Sequence, residues 1–202
     1  MHPMKARSLS SRKRMGAHYT PPLLARFVAE KIVERLQGVY NSPIRLLDPA
    51  CGSGELLVAG IEAMLQMGLK QWEVVGVEAD LVALEEARKR LQAGSQGSVR
   101  LVAGDFLDLA MTFQSQGQLW TDPLDDSPFG KRFDAVIANP PYVRTQVLGA
   151  ARAQALARRF GLSGRVDLYH AFVRAIADTV REEGILGIII SNRFMTTIAG
   201  KA

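Results

Sequence analysis

The four residues Asn139-Pro140-Pro141-Tyr142 constrain the fold more than any other stretch, because they follow directly on the apolar run 133–138. That run predicts a buried strand, which must end here since proline has no N–H to donate to a sheet. Proline fixes its own φ and favours extended backbone at the preceding residue. The side chain of Asn139 and the carbonyl oxygens of Asn139 and Pro140 are therefore predicted to form a rigid set of acceptors at a strand tip.

Such a loop fits one kind of ligand group. Acceptors beside an aromatic ring suit a planar group with an NH2, whose N–H bonds are accepted while its ring is stacked. A strand-terminating turn in which the protein itself satisfies Asn139 is the alternative. The candidate catalytic residues are Asn139, Pro140, Pro141 and Tyr142.

The length and composition of the chain are those of one globular domain. The chain has 202 residues, of which 48% are hydrophobic and 22% charged. A chain of this size buries on the order of 70% of its unfolded surface. Its longest apolar run, 185–190, is too short to span a membrane. The single cysteine excludes an intrachain disulfide and fits the cytoplasm, and the three histidines lack ligand spacing, so no metal site is predicted.

The first fifteen residues are basic. They include five Lys and Arg residues but no acid and no apolar core, which excludes a secretory signal peptide. We expect 1–15 to be a flexible arm and 16–202 to form one domain. The arm is either a solvated tail or a non-specific contact with phosphates, which the net charge of +5 favours.

Three predicted strands in the first half of the chain each end in an acidic residue. These acids are Asp48, Glu78 and Asp105. In a parallel sheet the ligand crevice lies outside the carboxyl ends of the strands, so the three acids are predicted to converge on one edge. Each acid taken alone is more typical of a helix N-cap or a solvated turn.

The turn after Asp48 contains Gly52 and Gly54, which allow a ligand to lie against the main chain. It lacks the lysine of a P-loop and the full spacing of a dinucleotide site, and the acid would repel a pyrophosphate. A ligand with an ammonium group fits better, and a purely structural turn is the alternative. Glu78 is predicted to accept ribose hydroxyls. Phe106 is predicted to pack on an adenine face.

The first predicted helix follows Tyr19-Thr20-Pro21. Thr20 is placed as its N-cap and Pro21 as its first residue. The exposed N–H groups at that end attract an anion such as a carboxylate.

Arginines flank the Asn-Pro-Pro-Tyr loop on its C-terminal side. Six lie between residues 139 and 174, against one acid, and the stretch is either a polyanion contact or a surface helix. A helix that starts at 167 and is capped by Gly184, and then a strand over 185–190, complete the pattern. The candidate DNA contacts are Arg144, Arg152, Arg158, Arg159 and Arg165.

Taken in order, these motifs resemble the amino (N6-adenine) DNA methyltransferases of restriction-modification systems, of the Eco57I or TaqI type. The resemblance covers nearly the whole chain. It implies that S-adenosylmethionine is the cofactor, with Thr20 near its methionine part, Glu78 on its ribose and Asp105 on its adenine. The cofactor-binding residues implied are Tyr19, Thr20, Asp48, Ala50, Cys51, Gly52, Gly54, Glu78, Ala79, Asp105 and Phe106.

The resemblance also implies a fold and an activity. The expected fold is α/β, a doubly wound, mostly parallel sheet of the Rossmann-like S-adenosylmethionine-dependent methyltransferase type. We expect the catalytic domain 16–202 to be C-terminally truncated, without the family's final β-hairpin and target-recognition domain. The expected partner is DNA, and a missing segment or partner chain is expected to supply target recognition.

The implied reaction is methyl transfer to the N6 amino group of a flipped-out adenine in DNA. Two alternatives stay open. A protein glutamine methyltransferase uses a similar loop, because a side-chain amide is also a planar NH2 group. A catalytically silent fragment that binds cofactor or DNA is the other. No Asp…Glu-x-Lys cluster typical of a nuclease is evident.

Overall fold

The computed structural model describes residues 20–36, 43–91, 97–115, 129, 131–141, 150–161 and 168–190. Within these residues, five strands form one sheet in the order β3-β2-β1-β4-β5, and every neighbouring pair is parallel. The strands are β1 Ile44–Asp48, β2 Trp72–Glu78, β3 Gly97–Ala103, β4 Phe133–Ala138 and β5 Val180–Ile188. The helices are α1 Pro22–Leu36, α2 Glu55–Gln66, α3 Leu81–Arg90, α4 Phe106–Ser115, α5 Ala150–Phe160 and α6 Leu168–Thr179.

Both faces of the sheet are covered by helices, because the apolar side chains of the central strands alternate between the two faces. Leu46 and Ile137 lie in one apolar cluster with residues of α1, α2 and α3. Leu47 and Val136 lie in a second cluster with residues of α4, α5 and α6. The prediction of a doubly wound parallel sheet is therefore confirmed.

The strand order reverses between β1 and β4. From β1 the chain runs outward through β2 to β3, and it then returns to β4 on the other side of β1. Leu46 pairs with Ala135 and Leu47 with Val136 across this junction. Sheets of this kind bind ligands outside the carboxyl ends of the strands at such a switch point. A ligand-binding site is therefore expected at the tips of β1 and β4.

The start of α1 differs from the prediction by one residue. Pro22, not Pro21, is the first helical residue, and the carbonyl oxygen of Pro21 accepts the N–H of Ala25 at 3.0 Å. Pro21 therefore occupies the N-cap position. Thr20 lies one residue before it, so the prediction of Thr20 as the N-cap is wrong.

The junction between α6 and β5 also differs. The helix ends at Thr179, five residues before the predicted cap Gly184, and β5 starts with an irregular pairing to β4. The residue with positive φ is Glu183, at 63°. A Cβ on Gly184 would lie 2.4 Å from Cγ2 of Val180, so the glycine permits close packing rather than a helix cap.

No helix in the part of the chain that the structure describes is long and apolar enough to cross a membrane.

Candidate active site at the tips of β1 and β4

Asp48 is the last residue of β1, and its carboxyl group is buried at the switch point. One oxygen, Oδ1, accepts the backbone N–H of Ala50 at 3.0 Å. The other, Oδ2, is buried without a hydrogen-bond partner. Burial raises the pKa of Asp48 to about 8, the hydrogen bond from Ala50 opposes this, and the charge of Glu78 adds to it. A cationic ligand group beside Oδ2 would relieve this unfavourable burial.

The loop after β1 turns through two glycines with left-handed backbone. Gly52 has φ 53° and Gly54 has φ 84°, values that side-chain-bearing residues rarely adopt. Gly54 is also the N-cap of α2. The predicted strand, glycine turn and helix are thus present, and the turn brings backbone N–H groups to the same edge as Asp48.

Glu78, at the end of β2, holds this loop in place. Its Oε2 accepts the N–H of Gly52 at 2.8 Å and its Oε1 accepts the N–H of Asp80 at 2.7 Å. Each carboxylate oxygen can accept a further hydrogen bond, so Glu78 is able to support the loop and to receive a hydroxyl group. The exposed residue Ala79 follows it at the open side of the edge.

Asn139 directly follows β4, and its side chain reaches the segment that precedes α1. Its Nδ2 donates a hydrogen bond to Oγ1 of Thr20 at 3.1 Å, and Thr20 is only 7% exposed. The other end of the amide, Oδ1, is buried without a hydrogen-bond partner. The acceptor that the sequence assigned to a ligand NH2 therefore has no partner in the protein, whereas the donor end is used within the protein. Pro140 is buried and Pro141 half-buried beside it.

Asp105, the third acid, follows β3 and is engaged by a residue predicted as a DNA contact. Nη2 of Arg152, on α5, lies 2.6 Å from Oδ2 of Asp105 and 3.1 Å from Oδ1 of Asp108. Partial burial lowers the pKa of Arg152, but the two acids outweigh it and the pKa is raised. Because its side chain is 32% exposed and paired with two carboxylates, Arg152 is tied to the cofactor edge rather than presented to a polyanion.

Phe106 does not present the open face that the sequence predicted. It is 2% exposed, and its ring centroid lies 5.5 Å from that of Phe172 on α6. The helix α4 begins at Phe106 and directs the side chain into the second apolar cluster. In this structure Phe106 supports the edge from below, and its packing on an adenine face stays a prediction.

The contacts of Arg90 that hold the glycine loop were not predicted from the sequence. Arg90, in the last turn of α3, donates to the carbonyl oxygen of Ser53 at 3.1 Å, and its Nη2 lies 2.6 Å from Oε2 of Glu55. The only signal in the sequence was the basic last turn of α3, which has a general explanation in the helix dipole. A partner 35 residues away cannot be identified from that signal.

Cys51 lies in the loop as an inert side chain. It is buried, and that burial, with the charges of Asp48 and Glu78, raises the pKa of its thiol. It stays protonated and is not a nucleophile. Among the residues that the structure describes, no group of three His, Cys, Asp or Glu is placed to hold a metal ion.

The remaining predicted site residues divide into two groups. Arg158 and Arg159 lie exposed on α5. Outside the described residues lie the basic arm 1–15 and Tyr19, Tyr142, Arg144 and Arg165.

Known proteins are similar to this chain in fold and in sequence. The chain superimposes on a Listeria monocytogenes protein assigned to the class I S-adenosylmethionine-dependent methyltransferases, with a TM-score of 0.62, 18% identity and coverage of 94% of this chain and 53% of that one. It superimposes on the type IIG restriction endonuclease BpuSI with a TM-score of 0.64, 18% identity and coverage of 92% and 21%. The fold is that of the S-adenosylmethionine-dependent methyltransferases.

The sequence comparisons narrow this class. Residues 103–202 match the family model described as Eco57I restriction-modification methylase. The type II methyltransferase M.BanIII of Aneurinibacillus aneurinilyticus is 40% identical over 197 residues, which are 96% of this chain and 33% of that protein. The chain belongs to this family of restriction-modification methyltransferases. It spans about a third of the length of the curated relatives that it matches, 33% and 35% for the first two.

Proposed function

We propose that this protein transfers a methyl group from S-adenosylmethionine to the N6 amino group of adenine in DNA, as part of a restriction-modification or related defence system. The observation that carries the proposal is the buried, unpartnered Oδ1 of Asn139 at the tip of β4. It lies at the switch point of a methyltransferase fold, on the same edge as the carboxyl of Asp48. The membership of a restriction-modification methyltransferase family supports DNA as the substrate.

The residues at the strand tips fit S-adenosylmethionine. The unpartnered Oδ2 of Asp48 suits the ammonium of its methionine part, and Glu78 has acceptor capacity left for ribose hydroxyls. Asp105 at the next strand tip is the candidate acceptor for the adenine amine of the cofactor. When bound, this cofactor would supply a methyl group on a positively charged sulfur, with neutral S-adenosylhomocysteine as the leaving group and one N6 proton lost to solvent.

Asn139 and Pro140 act on the other reactant. The amino group of adenine is a weak nucleophile because its lone pair is delocalised into the ring. Hydrogen bonds from its two N–H bonds to Oδ1 of Asn139 and to the carbonyl oxygen of Pro140 draw electron density from these bonds and redirect the lone pair. Fixed acceptors on a proline-stiffened loop also supply orientation, which contributes much of the rate.

A base within a duplex cannot reach this edge, so the target adenine must be flipped out of the stack. We assign the stacking of the flipped base to Tyr142. Phosphate contacts are assigned to the exposed Arg158 and Arg159, and to Arg144 and Arg165, which flank them in sequence. This chain spans about a third of the length of its curated relatives. Recognition of a defined DNA sequence is assigned to a C-terminal segment or to a partner chain.

Transfer to a protein glutamine is the second candidate. The acceptor pair at Asn139 would serve a glutamine amide equally well, since that group is also planar and carries two N–H bonds. Helix α5 follows the loop in the sequence, is rich in arginine and exposes Arg158 and Arg159. These charges favour a polyanion over a peptide as the substrate.

Product analysis tests the proposal. The full-length protein is incubated with labelled S-adenosylmethionine and with DNA of mixed sequence, or with a protein extract, and the products are digested for mass spectrometry. We expect label in N6-methyladenine, and none with Asn139→Ala. Label in N4-methylcytosine or in methylglutamine alone would refute adenine as the target, and no label in any product would support a catalytically silent protein.

A further inference from the structure

We infer that Thr20 is a positioning residue for Asn139, because its hydroxyl binds one end of the amide and thereby holds the other end toward the substrate. This inference rests on the proposed function, because it concerns how the site accepts the target amine. It is carried by the hydrogen bond of 3.1 Å from Nδ2 of Asn139 to Oγ1 of Thr20, together with the unpartnered Oδ1.

The amide of Asn139 needs such a partner. Rotation about its terminal bond is broad and roughly two-fold, so rotamer preference alone does not decide between the oxygen and the nitrogen. Turned by about 180°, the amide would present N–H donors to a substrate NH2 that also donates, and the site would repel the group it must hold. As an acceptor for Nδ2, Thr20 holds the amide in place, and since a hydroxyl could also donate to Oδ1, the substrate NH2 then selects the orientation in which Oδ1 faces it.

Thr20 is placed to be that acceptor. Because α1 begins at Pro22 and the carbonyl oxygen of Pro21 takes the first helical N–H bonds, from Leu24 and Ala25, Thr20 lies outside the helix. Its backbone is followed by two prolines, which restrict it as Pro140 and Pro141 restrict Asn139. Two proline-stiffened segments, 119 residues apart in the sequence, thus hold the donor and the acceptor together.

The first test compares three variants of the full-length protein. Thr20→Val removes the hydroxyl at nearly constant volume, and Thr20→Ser keeps it. The matched control is Thr179→Val, which removes another buried hydroxyl, one that donates to the carbonyl oxygen of Ile176 at 2.8 Å at the end of α6. At saturating S-adenosylmethionine, we expect Thr20→Val to lower kcat on the order of 10- to 100-fold. Thr20→Ser and Thr179→Val should stay close to wild type.

The second test measures how well the site holds the target amine without turnover. The affinity for DNA is measured in the presence of S-adenosylhomocysteine, with either adenine or unsubstituted purine, which lacks the 6-amino group, at the target position. The ratio of the two affinities reports the contribution of the amine alone. Relative to wild type, Thr20→Val should lower the adenine-to-purine ratio by about fivefold, the value of one ordinary hydrogen bond. Comparison between variants cancels the different costs of flipping the two bases.

The outcomes separate the inference from the proposed function. If Thr20→Val weakens only cofactor binding and leaves both kcat at saturation and the ratio unchanged, the positioning role is refuted. If Thr20→Val fails to fold, the same two measurements on Thr20→Ala and Thr20→Ser decide. Wild type that never methylates adenine overturns the proposed function instead.

Discussion

The carboxylate of Glu78 accepts the backbone N–H of Gly52 at 2.8 Å, which ties the tip of β2 to the glycine loop that follows β1. Its second oxygen accepts the N–H of Asp80, where α3 begins. One side chain therefore fixes two turns at the candidate cofactor edge. The left-handed backbone of Gly52 is stabilised by the same hydrogen bond.

We predict that Glu78→Ala weakens the binding of S-adenosylmethionine by about 1 to 3 kcal/mol, because the proposed ribose acceptor is removed and the glycine loop loses its support. Titration calorimetry measures the change. Glu73→Ala is the matched control, since Glu73 lies in the same strand but is paired with Arg45 and Arg100 away from the tip. Equal affinity in Glu78→Ala and wild type would remove Glu78 from the site.

Asp48 makes stability depend on pH. Its pKa is raised to about 8 in the folded protein, so between about pH 4 and pH 8 the native state holds a proton that the unfolded state has lost. The free energy of unfolding therefore falls as pH rises through this window, by on the order of 5 kcal/mol for this group. We expect Asp48→Asn to be increasingly more stable than wild type across the same window.

Urea unfolding of the ligand-free protein at several pH values measures this difference. Asp134→Asn is the control, because Asp134 is a buried carboxylate at the other end of the sheet that accepts the N–H of Arg45 and pairs with Arg181. A stability difference between Asp48→Asn and wild type that is the same at every pH would contradict the account.

Cofactor binding should release a proton from Asp48. At neutral pH the buried carboxyl is mostly protonated, and an ammonium group beside Oδ2 would favour its ionised form. Calorimetry at about pH 7 in buffers of different ionisation enthalpy should report the release of a large part of one proton per S-adenosylmethionine bound. In Asp48→Asn we expect no release. Equal proton release in the two proteins would show that Asp48 does not meet the cation.

DNA binding should distinguish the arginines of α5. Arg158 and Arg159 are exposed, whereas Arg152 is paired with Asp105 and Asp108. We predict that the double variant Arg158→Ala, Arg159→Ala makes the negative slope of log affinity against log salt less steep by about 2, because each arginine neutralises one phosphate. Arg152→Ala should leave the slope nearly unchanged. The opposite pattern, measured by fluorescence anisotropy over a salt series, would restore Arg152 as a residue that binds phosphate.

The sequence predicted the parts of this molecule that depend on local patterns. The apolar runs before Asp48, Glu78 and Asn139 mark strands, and the topology of parallel sheets places their ends together. Glycines and prolines mark the loops in the same way, because their backbone restrictions act on neighbouring residues. These features determine both the fold class and the edge that carries the candidate site.

Contacts between distant segments could not be predicted. Thr20 reads as a helix N-cap from its neighbours, and only the packing of α1 against the sheet turns its hydroxyl to Asn139. Arg152 reads as a surface charge, but α5 brings it to Asp105. Phe106 reads as an exposed aromatic, yet α4 buries it against Phe172. In each case tertiary packing determines which residue the side chain contacts, and the neighbouring sequence does not indicate that residue.

The role of Asn139 is the central claim, and a comparison of Asn139→Ala with wild type in the full-length protein tests it most directly. Single-turnover methyl transfer to adenine N6 and the affinity for S-adenosylmethionine are measured on the same preparations. We expect transfer to be abolished and cofactor affinity to stay close to wild type, because we propose that Oδ1 of Asn139 accepts from the substrate amine and that Asp48 and Glu78 hold the cofactor. Undiminished transfer to adenine N6 by Asn139→Ala would contradict the account.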